Sequence, residues 1–200
     1  MHSFVYYCPY VSGMEVRWEN ITGVPLVDNV TGDPACLRSI VQMCRTDDYV
    51  HVRFECADDH IVATYGNRDD PIYKEDAVEM FIDEAGDGRM YKEFELSPRN
   101  VVFDALIRKE EDRAPQVDAS WNMEGLLTRV FWPNVDSAVY EMSFPVNAFD
   151  APPAASTIWR INWYRIDNDS AGRRHYWAWS PTGVPRNFHV PMRFGTLVFL

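Results

Sequence analysis

Tyr73-Lys-Glu-Asp-Ala-Val-Glu-Met-Phe-Ile-Asp83 is the stretch whose reading decides the fold. Within it Val78, Met80 and Ile82 alternate with Glu79, Phe81 and Asp83, the period-two pattern of a strand that turns one face to a core. Tyr91-Lys-Glu-Phe-Glu-Leu-Ser-Pro98 repeats the pattern, with Phe94 and Leu96 inward and Glu93 and Glu95 on the other face. Between the two runs, Ala85-Gly-Asp-Gly-Arg89 supplies residues that tolerate a tight reversal. The pair predicts a hairpin with carboxylates on one surface, beside Tyr73 and Tyr91. Val101, Phe103, Ala105 and Ile107 alternate in a third strand that follows directly.

Outward from this hairpin the chain keeps the same habit. Tyr49 to Asp58 is the cleanest alternation, with Val50, Val52, Phe54 and Cys56 opposed to His51, Arg53 and Glu55. Leu37–Cys44, Ile61–Tyr65, Leu126–Trp132, Val139–Val146, His175–Pro181 and Gly195–Leu200 read as further strands, with Phe188–Phe194 leading into the last. Thr157–Asp167 is the longest, and both of its faces carry large or polar side chains. Residues 1–36 read as a covering segment with at most short strands, and Lys109–Ser120 as an exposed loop without apolar periodicity. About ten strands and no amphipathic helix predict an all-β antiparallel sandwich, with residues 1–200 as a single domain.

The bulk composition narrows the partners. Against 19 basic residues stand 30 acidic ones, a formal net charge of -11, which disfavours nucleic acid and anionic membrane as partners. No apolar run approaches the ~20 residues of a membrane span. Met1-His-Ser-Phe-Val lacks the pattern of a secretory signal, so the chain as written reads as cytoplasmic; a secreted chain with its signal removed would look alike. Cys8, Cys36, Cys44 and Cys56 form no C-x-x-C pair and read as buried free thiols, with Cys44 and Cys56 able to face each other on adjacent strands.

Three kinds of chemistry suit these residues. Glu79 with Glu93 or Glu95 offers the paired carboxylates of a glycosidase or sugar-modifying enzyme, although no catalytic motif joins them. A solvated acidic face is the plainer reading, and a buried Glu79 would need a partner such as Arg160 or Lys92. Asp28-Asn-Val-Thr-Gly-Asp33, Asp58-Asp59 and Asp69-Asp70 are oxygen-rich candidates for a structural calcium, while His51, His60, His175 and His189 lack transition-metal spacing. Aromatic rings form the third group. Tyr73, Trp177, Trp179 and Phe188 lie at loop or strand ends, where rings can stack on the C–H faces of a sugar while carboxylates, amides and Arg take its hydroxyls. Packing of Trp177 and Trp179 under the C-terminal strand competes with that reading.

The stretch from Tyr73 to Asp83 resembles the hallmark segment of family 9 carbohydrate-binding modules and their DOMON-like relatives, an aromatic residue followed by D-x-V-E-x-F-I-D. The similarity extends to Asp48–Phe54, Tyr91–Asp104, Trp159-Arg-Ile-Asn162, Trp179-Ser-Pro181 and Phe188–Phe199, nearly the whole chain. It implies an immunoglobulin-like or jelly-roll-like sandwich that binds a terminal sugar of an oligosaccharide or polysaccharide without cleaving it, with structural calcium a further family feature. By motif position the aromatic clamp falls on Tyr73 and Phe188, and Glu79 and Asn162 become hydroxyl-binding groups. The chain departs from the family in using Tyr and Phe where well-known members use Trp, in carrying Glu95 where a basic sugar contact is expected, and in placing Pro185 near an expected amide contact. The implied site is thus Tyr73, Glu79, Glu95, Asn162, Trp179 and Phe188, in a shallow depression. A purely structural or protein-binding sandwich is the other reading.

Overall fold

Alternating side chains build fourteen strands among the residues that the computed structural model describes, 4–13, 15–110 and 113–200. They are β1 (Val5–Cys8), β2 (Gly23–Pro25), β3 (Val27–Asp28), β4 (Ser39–Arg45), β5 (Tyr49–Ala57), β6 (Ala77–Asp83) and β7 (Met90–Leu96). The second half adds β8 (Val102–Arg108), β9 (Gln116–Asp118), β10 (Leu127–Asn134), β11 (Ser137–Pro145), β12 (Ile158–Asn168), β13 (Arg174–Ala178) and β14 (Gly195–Phe199). The larger sheet runs β1-β14-β12-β6-β7-β8-β9, with β13 beside β12 and β3 beside β13, and the smaller runs β10-β11-β5-β4-β2. Only β1 against β14 is parallel among these pairings, so the antiparallel sandwich read from the sequence is the fold.

Facing sides of the two sheets supply the main core. Val78, Met80 and Ile82 of β6 and Phe94 and Leu96 of β7 meet Val50, Val52 and Phe54 of β5 there, as their alternation requires. Trp159, Ile161 and Trp163 enter the same core from β12. Arg165 continues that row and is 2% exposed. Its guanidinium donates to Ser39 Oγ at 3.0 Å, to the Ala57 carbonyl at 2.7 Å, to Asp58 at 3.1 Å and to Asp167. One side chain from the larger sheet thereby ties down β4 and the end of β5, and the two carboxylates supply the pairing that a buried charge requires.

Several local expectations change. Residues 61–65 are not a strand; they and residues 188–194 lie across the outer face of the larger sheet, the latter with a single 3-10 turn at Pro191–Arg193. The expected loop 109–120 contains the short edge strand β9, and Met1 to Ser3 together with Glu111 and Asp112 lie outside the described residues. Cys8, Cys44 and Cys56 are buried free thiols as expected, but Cys36 is exposed. Cys44 pairs across the ladder with His51 and Cys56 with Ser39, so the two cysteines do not face each other. The turn between β6 and β7 uses left-handed backbone at Gly86 and Gly88, whose N–H groups donate to Asp83 at 2.7 and 2.8 Å.

Candidate functional site

Both faces of the central hairpin are buried, and that places the site. On the side away from the main core, cross-strand register sets Tyr164 beside Glu79, Glu79 beside Glu95, and Glu95 beside Phe103. The next row sets Asn162 beside Phe81, Phe81 beside Glu93, and Glu93 beside Ala105. Two rows of side chains therefore form a floor with carboxyls in the middle and an aromatic ring at each end of the first row. With strands ~4.8 Å apart, the rings at the ends arise from backbones about 14 Å apart.

The covering segments raise walls at those ends. Phe188 lies flat on Tyr164, ring centres 4.0 Å apart and planes 13° from parallel, and the Tyr164 hydroxyl donates to the Phe188 carbonyl at 3.0 Å. At the other end Tyr73 meets Phe103 edge-on at 6.1 Å. Arg174 donates to the Tyr73 carbonyl, and Glu75 and Asp76 hold the preceding segment by accepting from the Thr64 N–H at 2.5 Å and the Val62 N–H at 2.6 Å. Between the walls opens a cleft of about 590 Å³ lined by Tyr73, Glu79, Glu93, Glu95, Phe103 and Phe188, with Lys74, Arg174, Tyr176, Arg186 and His189 around them. That volume falls within the range of small-ligand sites.

Electrostatically the floor is unusual. Glu79, Glu93 and Glu95 are 2%, 5% and 1% exposed, and one carboxylate oxygen of each lies within 4.8 Å of the others. Burial, then the charge of Glu93, holds the Glu79 carboxyl well above the ordinary range, against a weaker pull from Arg174. Burial, then Glu79 and Glu93, does the same to Glu95, while a backbone hydrogen bond from Tyr73 opposes it. Burial raises Glu93 to about 8, offset by its hydrogen bond with Glu95. The expected partners of Glu79 are elsewhere: Arg160 donates to the carbonyls of Phe194 and Gly195, and Lys92 pairs with Glu84. His189 sits beside the floor with its Nδ1 2.9 Å from the Tyr91 hydroxyl, and burial lowers it to about 4.

Of the six residues read from the sequence, Tyr73, Glu79, Glu95 and Phe188 come together in this cleft. Asn162 and Trp179 do not line it. The Asn162 amide is spent internally, donating to Tyr164 Oη at 2.8 Å and the Ser180 carbonyl at 2.7 Å and accepting from the Ser180 N–H at 2.9 Å. Trp179 belongs to the main core with Trp177, its ring centre 4.9 Å from that of Trp163, so the packing reading holds for both tryptophans. The rings at the site are also unequal, since Tyr73 is 43% exposed and Phe188 only 6%. Glu93, Phe103, Arg174 and Tyr176 line the cleft without having been singled out as ligand-binding. Glu93 was legible through its shared parity with Glu95, whereas Arg174 and Tyr176 arrive through the β12–β13 pairing.

The oxygen-rich loops bring no comparable set together. Asp28 Oδ1 accepts from the N–H groups of Val30 and Thr31 at 2.9 and 2.8 Å, and Asp70 from those of Gly66 and Asn67 at 3.1 and 2.8 Å, so both stabilise their own turns. Asp58 is committed to Arg165. Among the described residues, the one group of three acidic or metal-ligating side chains is Glu79, Glu93 and Glu95.

The family model described as carbohydrate-binding family 9 matches residues 16–199. No curated protein matches the chain. Among solved structures, a Bacteroides uniformis protein provisionally described as carbohydrate-binding superposes with TM-score 0.82 at 17% identity, covering 100% of both chains. A family 9 carbohydrate-binding module from Caldicellulosiruptor kristjanssonii in complex with glucose gives TM-score 0.70 at 17% identity, over 98% of this chain and 95% of that one. The cellotriose complex of a family 9 module from the same organism gives 0.71 at 16% identity, over 98% and 93%. At these identities the likeness is one of fold.

Proposed function

The chain belongs to carbohydrate-binding family 9, and from that premise we propose that it binds, without cleaving, a terminal sugar of an oligosaccharide or polysaccharide in the cleft between Tyr73 and Phe188. The observation that carries this reading is the in-register row Tyr164, Glu79, Glu95 and Phe103, walled by Phe188 at one end and Tyr73 at the other. A sugar presents apolar C–H faces to rings and hydroxyls to carboxyls, and the row offers both within one cleft. A carboxyl that keeps its proton donates as well as accepts, so the buried glutamates can read hydroxyls in either sense.

Hydrolysis fits the geometry less well. A glycosidase sets two carboxyl groups on either side of the scissile bond. Here all three project side by side from neighbouring strands of one floor. That geometry, together with the family, favours holding a sugar over cutting it. The solved glucose and cellotriose complexes of Caldicellulosiruptor family 9 modules support neutral glucans as the first ligands to try.

Calorimetry with glucose, cello-oligosaccharides, xylo-oligosaccharides and uronic oligosaccharides tests the proposal. Binding of one class is expected, with Kd raised at least roughly tenfold in Tyr73→Ala, about the 1.4 kcal/mol of one lost stacking contact. Absence of binding across the panel, or an unchanged Kd in Tyr73→Ala, would sink it.

A further inference from the structure

We propose that Glu79, Glu93 and Glu95 hold a hard divalent cation of the calcium class on the floor of the cleft, with its outward coordination positions taken by hydroxyls of the bound sugar. The cation site stands on the acidic floor alone; only its contact with sugar rests on the function proposed above. One oxygen from each carboxylate lies within 4.8 Å of the other two. Calcium–oxygen distances of about 2.3–2.6 Å let oxygens with such spacing share one ion.

A second observation points to a ligand at the same place. Glu79 Oε1 and Glu95 Oε2 are buried without a hydrogen-bond partner, in side chains 2% and 1% exposed that line the cleft. A buried carboxyl oxygen left unpaired is costly, and a cation would satisfy both at once. Among the described residues no basic side chain bonds these oxygens: Lys92 is bound to Glu84, Arg160 to backbone carbonyls, and Arg174 donates to the Tyr73 carbonyl. The three glutamates lie within the paired strands β6 and β7, which keeps them fixed before the ion arrives. Burial raises all three carboxyls, with neighbouring glutamates adding to it at Glu79 and Glu95, and a metal ion reverses that balance by displacing their protons.

The donor set selects the ion. Oxygen ligands with no thiolate or imidazole among them favour calcium or magnesium over zinc or copper. Calcium's 6–8 ligands exceed what three carboxylates need supply, and the open side of the set faces the cleft, where neighbouring sugar hydroxyls are oxygen ligands of the same kind.

The test uses the full chain after removal of metal with EDTA, titrated with CaCl2 and separately MgCl2, and read by calorimetry and melting temperature. Calcium at about a hundred times its Kd is expected to raise Tm by roughly 5–10 °C. Glu79→Gln and Glu93→Gln each remove a ligand charge and are expected to weaken calcium at least about tenfold. Because Gln relieves buried repulsion, their metal-free Tm at or above that of the parent chain verifies folding. No response to either cation, or a response retained in Glu79→Gln/Glu93→Gln, which would put the ion on another part of the chain, overturns the site. Sugar Kd measured in calcium and in EDTA tests the bridging role: at least a tenfold weakening in EDTA is expected. Equal affinity in both overturns the bridge while leaving the sugar-binding reading intact, and calcium binding with no sugar binding would overturn that reading and leave the ion site. Glucosamine binding more tightly than glucose in EDTA would assign the floor to an ammonium group and overturn the metal proposal.

Discussion

Phe188 and Tyr73 were matched as two jaws of a clamp, yet their surroundings give them different work. Phe188 is stacked on Tyr164 and enclosed with Phe81, Phe194 and Ile166, so it is structural as well as ligand-facing. Phe188→Ala is expected to cost about 3–5 kcal/mol of stability, the usual range for a buried Phe, whereas Tyr73→Ala should cost under about 1 kcal/mol because its ring is half exposed. Urea unfolding of the two variants separates them, and equal losses would contradict the assignment. Arg165 presents the opposite case, a charge inside the core. Arg165→Ala strands Asp58 and Asp167 and should destabilise by about 3–5 kcal/mol. A loss below about 1 kcal/mol in denaturant would show that the buried pairs are not holding the layers together. The Glu79 and Glu95 parity was legible from alternation alone; the fate of Asn162 was not, because its spent amide depends on Ser180, eighteen residues away.

Among the elements, β6 and β7 read as half-buried strands but are covered on both sides. Their alternation of apolar and acidic residues still set which side chain faces which layer. What alternation lacked was any sign that residues 61–75 and 181–194 return to cover the acidic face, where Ile72, Phe188 and Phe194 close a second cluster over Phe81, Phe103 and Ile107. Residues 61–65 looked like a strand because their apolar residues suit burial; they bury by lying across a sheet without joining it. β14 shows how closely the elements approach. A Cβ placed on Gly195 would stand 2.2 Å from the Trp179 ring, so Gly195→Ala is expected to cost about 1–3 kcal/mol by forcing that buried ring aside. A Tm equal to that of the parent chain would mean the ring has room to move.

On the scale of the whole molecule, stability is linked to the protons held under the covering segments. Glu93 binds its proton up to about pH 8 in the folded chain but releases it near its ordinary value when unfolded. The unfolded state therefore holds fewer protons between those limits, and stability falls as pH rises through them, by up to about 1.4 kcal/mol per unit for each proton retained. Asp167, raised to about 6 chiefly by burial, adds a fall of the same sign below that pH. His189 works the other way: lowered to about 4 by burial, it makes stability rise with pH from about 4 to its unfolded value near 6.5. Between about pH 6.5 and 8 only the decline remains. In metal-free buffer the urea midpoint should fall across that window and fall less steeply in Glu93→Gln, with Glu79 and Glu95 still raised by burial; a flat profile in the parent chain would contradict the burial of the acidic floor.

The sequence by itself determined the sandwich, the β6–β7 hairpin, the side of the sheet on which Glu79, Glu93 and Glu95 stand, and the family, since each follows from period-two alternation or from a contiguous motif. Only the tertiary structure decided that the acidic face is enclosed, that Tyr73 and Phe188 wall opposite ends of one row, that Asn162 and Trp179 are turned to internal bonding and packing, and that the three glutamates have no basic partner among the described residues. The physical reason is one of range. A strand's periodicity fixes which way a side chain points, but what it meets there is set by cross-strand register and by segments about a hundred residues apart, such as Arg174 against the Tyr73 carbonyl. At Tyr73–Asp83 the motif therefore named the strand, and the covering segments made its acidic face a cleft.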